Sequence, residues 1–251
     1  MELAGRVAII TGGAHRVGGA ITTALAEAGM DVAVFFRSSR AEATALVDRL
    51  QATGVRAIAV ETDVADSERV RVAAQHVADT LGPVDLLVNS ASVFATDRFP
   101  TDDLSVWHST MAVLVDGAFH CANAVSRSML DRGEGAIVNI VDLSAWQPWP
   151  GRTAHSVGKA ALLALTRQLA VELAPHVRCN AVALGPTIAP ERFDEAQVER
   201  LRARTLLGQW AGGPAAGHAV RYLAEADAVT GECLTVDSGE QYGHVRDRFA
   251  D

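Results

Sequence analysis

The chain has 251 residues, of which 49% are hydrophobic and 21% are charged, and its formal net charge is −8. That length suits one α/β domain with a substantial core, and no apolar run is long enough to span a bilayer, which argues against a membrane protein. The acidic balance and the lack of a basic stripe also argue against nucleic acid as a partner.

Short apolar runs alternate with longer amphipathic segments along the chain. The runs predict seven strands, over residues 7–10, 32–36, 57–60, 86–88, 136–141, 181–184 and 234–236. The segments between them predict six helices, over residues 18–29, 39–53, 67–81, 104–131, 153–173 and 214–225. Repeated β-α units build a parallel sheet with helices on both faces. We therefore predict one doubly wound α/β domain of the Rossmann type over residues 1–251, with about seven strands.

Residues 185–213 break this alternation, because they separate the sixth predicted strand from the next helix. The stretch is rich in Pro, Arg and Glu. A long connection at the carboxyl end of a strand is where an α/β protein places a loop over its substrate. A solvated surface insertion explains the composition equally well, and the sequence leaves both interpretations open.

The cysteines and the first residues bear on the cellular compartment. Cys121, Cys179 and Cys233 are isolated in apolar stretches, without the spacing of a zinc site or of a disulfide framework. This is typical of small core residues in a reducing compartment. The first residues lead directly into an apolar strand, without the basic flank and cleavage site of a signal peptide. We therefore expect a cytoplasmic protein.

A glycine-rich turn, TGGAHRVGG over residues 11–19, joins the first predicted strand to the first predicted helix. Glycines let a backbone approach a pyrophosphate, and the helix N-terminus offers free N–H groups and a positive dipole end. A glycine cluster alone is a weak signal, but its place between a first strand and a first helix strengthens it. We predict that Gly12, His15, Arg16, Val17 and Gly18 contact a dinucleotide cofactor.

The end of the second predicted strand indicates which dinucleotide is bound. An acidic side chain there commonly holds a free ribose 2′-hydroxyl, but this chain has Arg37 and Ser38, which can bind a 2′-phosphate. We therefore predict NADP(H), although an ordinary solvated Arg37 is the alternative. Asp63, after the third strand, is a candidate acceptor for the adenine amino group, or else a helix-capping residue.

These features resemble the short-chain dehydrogenase/reductase family over nearly the whole chain. The matching segments are Thr11-Gly12 through Gly18, Asp63-Val64, Asn89-Ser90-Ala91, Lys159, Thr230-Gly231 and Val236-Asp237-Ser238-Gly239. The resemblance implies a small-molecule substrate and a cofactor held at the carboxyl edge of the sheet. It implies further cofactor contacts from Val64, Asn89, Ser90, Ala91, Lys159, Gly185 and Thr187.

Within this family the chain is most similar to the pteridine reductase branch. Arg16 stands where most relatives have a glycine, and in that branch the arginine reaches both the cofactor phosphate and the substrate. Phe94 matches a phenylalanine that stacks on the pterin ring, and Asp142 stands where most of the family has serine. The resemblance implies that Arg16 and Phe94 contact a flat heterocycle, although ordinary packing at the start of a loop also explains Phe94.

The chain departs from the family at two catalytic positions. The family places a tyrosine four residues before a lysine on one helix, so that both side chains share a face. Here the lysine is present as Lys159, which the resemblance assigns to the nicotinamide ribose, but His155 replaces the tyrosine. The family's helix asparagine, which supports a proton-relay water, aligns with Leu114.

Three interpretations follow from these replacements. In the first, the chain is an NADPH-dependent reductase of a flat C=N substrate, pterin-like or a cyclic imine, or of a C=O substrate. His155, paired with Asp142, then replaces the tyrosine as proton donor, because imidazole titrates near neutral pH and suits general acid catalysis. A C=N bond is easily protonated, so its reduction needs a weaker acid than the reduction of a ketone does.

In the second interpretation, the chain binds the nucleotide but catalyses a dehydration, isomerisation or cyclisation. Trp146 and Trp149 suit a bulky flat ligand, although tryptophan more often packs in an interior or a subunit interface. In the third, the chain is a non-catalytic NADP(H)-binding protein. The retained Asp142 and Lys159 favour the first interpretation.

Other kinds of site find little support in the sequence. A Ser144–His155–Asp142 hydrolase lacks a Gly-x-Ser-x-Gly elbow. No paired spacing indicates a metal site at His108, His120 or His155, and we expect no metal. Family members usually form homotetramers or homodimers through the helices predicted over 104–131 and 153–173, and the resemblance implies the same assembly here.

Overall fold

The computed structural model describes residues 1–189 and 193–243, which form one α/β domain around a seven-stranded parallel sheet. The strands are β1 (Val7–Thr11), β2 (Asp31–Phe36), β3 (Ala57–Glu61), β4 (Val84–Asn89), β5 (Gly135–Asp142), β6 (Val177–Leu184) and β7 (Cys233–Val236). Each apolar run of the sequence analysis lies within one of them. The predicted doubly wound Rossmann fold is confirmed.

The strand order is β3-β2-β1-β4-β5-β6-β7, and every neighbouring pair is parallel. The order reverses between β1 and β4, where the chain crosses from one half of the sheet to the other. A crevice opens at such a reversal, outside the carboxyl ends of the strands. The register brings Thr11 level with Asn89, so the ends of β1 and β4 meet at this crevice.

Helices cover both faces of the sheet. They are α1 (Arg16–Glu27), α2 (Arg40–Gln51), α3 (Ser67–Thr80), α4 (Ser105–Met111), α5 (Gly117–Arg132), α6 (Thr153–Glu172), α7 (Glu195–Ala203) and α8 (Gly212–Glu225). The apolar residues of α1, α2 and α8 share one core with Ala8 and Ile10 of β1, while those of α3 and α5 share another with Val7 and Ile9. Because both faces of β1 are buried, its sequence has no polar alternation.

Two predicted segments differ from the structure. The helix predicted over residues 104–131 is interrupted by a π-helical turn, Ala112–Asp116, which separates α4 from α5. The segment 185–213 contains the helix α7, which begins with a capping box at Asp194. Residues 190–192 of this segment lie outside the described residues. None of the helices in the described ranges has the length and apolarity needed to cross a membrane.

Candidate active site

The turn between β1 and α1 requires glycine at two positions. A Cβ atom on Gly18 would lie 2.1 Å from the carbonyl oxygen of Gly12, and one on Gly12 would lie 2.9 Å from the Cα atom of Ala91. Real Cβ atoms do not approach backbone this closely, so any other residue would open the turn. The turn therefore presents bare backbone at the crevice, followed by the N-terminus of α1, as a pyrophosphate site requires.

Arg16 has an unusual backbone conformation within this turn and joins the turn to the segment after β6. Arg16 adopts a left-handed backbone conformation with φ of 52°, which disfavours residues other than glycine by about 1 kcal/mol. Its Nη2 atom donates to the carbonyl oxygen of Ile188 at 3.0 Å, so the turn is tied to the segment after β6. His15 and Arg16 are exposed, and Val17 is partly buried. The guanidinium thus lies between the expected phosphate site and the expected substrate loop.

A cavity of about 150 Å³ opens beside this turn. Arg37 and Ser38 line it from the end of β2, together with Asp63, Val64 and Ala91. Arg37 is exposed and forms no ion pair with another residue in the described ranges. One carboxylate oxygen of Asp63 accepts the N–H of Ala65 at 3.1 Å, while the N-cap of α3 is a different residue, Asp66. Asp63 is therefore a turn residue, and its second carboxylate oxygen can still accept a hydrogen bond.

The segment after β4 contacts the crevice with its backbone rather than with the Asn89 side chain. The N–H groups of Ser90 and Ala91 both donate to the Thr11 hydroxyl at 3.0 Å, which fixes the segment against β1. The Asn89 side chain is 5% exposed and donates from Nδ2 to Oδ1 of Asn139 at 2.9 Å in the interior. The NH2 group of the Asn89 amide thus joins β4 to β5, while its Oδ1 atom has no hydrogen-bond partner among the described residues.

Gly185 and Thr187 follow β6 at the same edge. A Cβ on Gly185 would lie 2.6 Å from Cβ of Asp237, so only glycine lets this strand pass the end of β7. The Thr187 hydroxyl donates to the Gly185 carbonyl oxygen at 3.0 Å and is buried. Both residues are fixed in place at the crevice, with the Thr187 oxygen still able to accept a hydrogen bond.

Asp142 and His155 form the centre of the site. Asp142 ends β5, and His155 lies in the first turn of α6. The Nε2 atom of His155 is 2.7 Å from Oδ2 of Asp142, and Nδ1 is 3.0 Å from the carbonyl oxygen of Val93. The side chain of His155 is 2% exposed, whereas that of Asp142 is 17% exposed. Asp142 is therefore the member of this pair that reaches the crevice.

Hydrogen bonding determines where the protons of this pair lie. A carbonyl oxygen can only accept, so Nδ1 of His155 carries a hydrogen, and one further proton lies between Nε2 and Oδ2. Burial alone would raise the pKa of Asp142, but the hydrogen bond from His155 and the positive charge of Lys159 hold that pKa below its ordinary value. His155 and Asp142 therefore share the one proton of the hydrogen bond between Nε2 and Oδ2.

Both nitrogens of His155 are therefore engaged within the protein, and the buried ring presents no free N–H to a substrate. The proton expected for the substrate is therefore held by the His155–Asp142 pair rather than by the ring alone. Ser144 supports the carboxyl of Asp142, because its N–H donates to Oδ1 at 3.0 Å and its hydroxyl donates to the same oxygen.

Lys159 lies one helical turn after His155 and is 4% exposed. Its Nζ atom donates to the carbonyl oxygen of Ile140 at 2.8 Å. Burial lowers the pKa of this lysine, because the charged form is poorly solvated there, and the negative charge of Asp142 opposes the shift. An ammonium group has three hydrogens, so the bond to Ile140 leaves two for hydroxyl groups of a ribose.

Three rings lie together beside the pair. The Phe94 ring meets His155 edge-on at a centroid distance of 4.9 Å, and Trp149 stacks on His155 at 6.2 Å with an interplanar angle of 11°. Phe94 remains 54% exposed, so much of its ring is open to a ligand. Trp146 is 40% exposed and forms no ring contact within the described residues. The structure therefore brings Phe94 and Trp149 to the pair and leaves Trp146 apart.

The sequence analysis missed two residues that shape this site. Asp97 accepts hydrogen bonds from the N–H groups of Thr153 and Ala154 at 2.8 and 2.6 Å, and so caps α6 from a distant loop. The guanidinium of Arg152 lies 4.0 Å from the centroid of the Phe94 ring. No local pattern indicates either contact, since each joins the loop after β4 to the start of α6.

Leu114 occupies the position that aligns with the family's helix asparagine. It lies in the π-helical turn and is 1% exposed. The position is thus apolar and packed, and no polar side chain stands there to hold a relay water.

The family model described as short chain dehydrogenase matches residues 6–197. The chain belongs to this family. Among curated relatives, a 3-oxoacyl-[acyl-carrier-protein] reductase of Synechocystis sp. is 32% identical to this chain over 241 residues, which cover 94% of this chain and 97% of the relative.

Two solved structures are also similar to this short-chain dehydrogenase. One is FolM alternative dihydrofolate reductase 1 from Brucella canis, crystallised with NADP, at 33% identity and a TM-score of 0.90, with 95% of each chain covered. The other is a blue fluorescent protein from a metagenomic library, in complex with NADPH, at 35% identity and a TM-score of 0.87. The likeness covers 96% of this chain and 99% of that protein.

Proposed function

We propose that this short-chain dehydrogenase is an NADPH-dependent reductase of a flat heterocyclic C=N bond, pterin-like or a cyclic imine, or of a C=O bond. The observation that carries the proposal is the hydrogen bond between His155 and Asp142, which puts a mobile proton at the crevice. Lys159 and Phe94 flank this proton, one on the side expected for the ribose and the other on the side expected for a ring.

NADP(H) fits the residues at the crevice. The glycine turn leaves bare backbone for the pyrophosphate, and Arg37 with Ser38 offers charged and hydroxyl donors for the 2′-phosphate. Arg37 has no carboxylate partner among the described residues that would compete for it. The solved relatives with NADP or NADPH support the same cofactor. When bound, the cofactor supplies a hydride.

The protein supplies the proton that balances this hydride. As the substrate C=N or C=O carbon gains the hydride, the proton between Nε2 and Oδ2 moves fully to Asp142, whose carboxyl gives it to the substrate nitrogen or oxygen. His155 is left as the neutral ring with its hydrogen on Nδ1, still bonded to the Val93 carbonyl oxygen. Water at the crevice then restores the proton. Asp142 is thus the donor, and His155 recharges it.

A flat substrate ring is supported by the exposed face of Phe94 and by the likeness to an alternative dihydrofolate reductase. Arg16 lies between the nucleotide turn and Ile188, where it can bind a phosphate and a substrate group together. The pteridine reductase branch is therefore the favoured placement within the family. Trp149 extends the ring surface beside Phe94.

We propose that the chain forms a homodimer or homotetramer through α5 and α6. Apolar side chains on these helices are exposed in the single chain, with Phe119 at 51%, Val157 at 44% and Val171 at 74%. The exposed Ala160 and Ala164 continue the α6 face and allow close helix packing. Sedimentation or light scattering of Phe119→Glu and Val157→Glu variants tests this, since each charge should yield monomers.

Oxidation of NADPH by the purified protein tests the proposed reaction. Dihydrobiopterin, dihydrofolate, a cyclic imine and a simple ketone are offered to the wild type and to His155→Tyr and His155→Phe variants. We expect turnover of at least one heterocycle by the wild type, and loss of turnover in His155→Phe with unchanged NADPH affinity. NADPH binding without oxidation by the wild type, together with activity gained in His155→Tyr, would instead indicate non-redox chemistry or a binding role.

A further inference from the structure

Arg152 lies at the mouth of the site and is held by Phe94. It is the N-cap residue of α6 and is partly buried. Its guanidinium carbon lies 4.0 Å from the Phe94 ring centroid, and its Nη1 atom donates to the Phe94 carbonyl oxygen at 3.2 Å. These two contacts hold the guanidinium plane in place with most of its five N–H donors unused.

The charge of Arg152 acts on the nearby Asp97 carboxylate and helps to lower the pKa of Asp97, but the two residues form no direct salt bridge. Within residues 1–189 and 193–243, no carboxylate comes within ion-pair distance of its guanidinium. Asp97, in the loop after β4, uses its two carboxylate oxygens to accept the N–H groups of Thr153 and Ala154. A partly buried guanidinium without a direct salt bridge is a favourable place for an anionic group, because the bidentate pair forms without breaking an existing one.

Ring contacts relate Arg152 to the reacting atoms. Phe94 separates it from His155, whose ring lies 4.9 Å from that of Phe94, and His155 is bonded to Asp142 at 2.7 Å. A ligand ring that lies along Phe94 with its reacting bond at Asp142 would therefore direct its far substituent towards Arg152.

We propose that Arg152 forms an anion subsite, and that the substrate is a flat heterocycle with a carboxylate substituent on the side away from the reacting bond. This inference rests on the proposed function for the position of the reacting bond. Arg152 is then a specificity-determining residue, which discriminates between charged and neutral forms of one ring. The alternative is that Arg152 only clamps the Phe94 loop, in which case ligand charge has no effect.

Matched ligand pairs separate these two roles. Pterin is compared with pterin-6-carboxylate, and quinoline with quinoline-2-carboxylate, so that only the charge differs within a pair. Affinities for the NADP⁺-saturated protein are measured by quenching of tryptophan fluorescence or by calorimetry. The variants are Arg152→Gln and Arg152→Lys. The matched control is Arg98→Gln, which removes an exposed arginine from the loop after β4 that contains Phe94. Circular dichroism establishes that each variant is folded.

We expect the wild type to bind the carboxylate of at least one pair about tenfold more tightly than the neutral ring, with a preference that weakens as salt rises. Arg152→Gln should bring the ratio of the two dissociation constants close to 1, Arg152→Lys should keep part of it, and Arg98→Gln should leave it unchanged. If Arg152→Gln fails to fold, Arg152→Lys and the salt dependence of the wild type carry the test.

The inference is overturned if the wild type shows no preference for the carboxylates, if it binds none of the four ligands, or if Arg152→Gln keeps the preference. Equal losses in Arg152→Gln and Arg98→Gln would also overturn it, since they would indicate a general surface charge effect. Because these are binding measurements, a protein that binds the carboxylates through Arg152 but oxidises no NADPH would contradict the proposed reaction alone.

Discussion

Leu114 packs into the space that Gly158 leaves open. A Cβ atom on Gly158 would lie 2.8 Å from Cδ1 and 3.3 Å from Cβ of Leu114. The two residues come from the π-helical turn and from α6, immediately before Lys159. Their contact is thus a matched pair in which a large side chain on one helix requires a glycine on the other.

This relationship predicts the effect of enlarging Gly158. Gly158→Ala should destabilise the protein by about 1–3 kcal/mol, because Leu114 is fully buried and cannot move aside freely. Combining it with Leu114→Ala should restore part of the loss, so that the two changes are not additive. Urea unfolding of the single and double variants measures this coupling. Strict additivity would show that the two side chains do not compete for the same space.

Arg37 should determine the choice between NADPH and NADH. Arg37→Ala removes a charge-assisted hydrogen bond to the 2′-phosphate and should weaken NADPH binding by about 10- to 100-fold while leaving NADH within about twofold. Arg40→Ala is the control. Arg40 lies three residues after Arg37, but it pairs with Glu61 and its guanidinium lies over the Phe36 ring. Calorimetric titration with both cofactors measures the change. Equal losses for NADPH and NADH would assign Arg37 no role in selectivity.

Asp97 should stabilise the protein through the N-terminus of α6. Asp97→Ala removes this cap and should cost about 1 kcal/mol at neutral pH. Burial would raise the pKa of Asp97, but the N–H groups of Ala154 and Thr153 hold it below the ordinary value of 3.8. Because the folded-state pKa is lowered, the stabilisation is present above the ordinary pKa and is lost as the pH falls through the folded value.

Urea unfolding of the wild type and Asp97→Ala at several pH values tests both statements. Their difference in unfolding free energy should be constant at neutral pH and should shrink as the pH falls below about 4. Asp97→Asn is the matched control, because it keeps the shape and loses the charge. A difference that grows in acid would contradict the cap.

The sequence predicted the sheet and much of the crevice for a simple reason. Residues at the ends of parallel strands meet at one edge, so Thr11, Asp142 and Gly185 could be grouped before any coordinates were known. The i and i+4 spacing likewise placed His155 and Lys159 on one face of α6. These inferences need only local periodicity and the rule that parallel strands share a direction.

The rest of the site depends on contacts between distant segments. The carbonyl oxygen of Val93 accepts from His155, although 62 positions separate the two residues, and no side-chain pattern marks a backbone acceptor. Asn89 directs its amide inward to Asn139 on β5, which its place at a strand end did not reveal. Arg152, at the start of α6, lies over Phe94 at the place where Asp97 joins the loop after β4 to that helix.

The central claim is that His155 and Asp142 supply the proton together. The most direct test is the rate of NADPH oxidation by His155→Phe, by Asp142→Asn and by the double variant, with NADPH affinity measured in parallel. If the two residues act as one proton donor, each single variant should lose about 100-fold or more in kcat, and the double variant should be no slower than the singles. NADPH affinity should remain within about threefold. Wild-type turnover in either single variant, or losses that multiply in the double variant, would contradict the account.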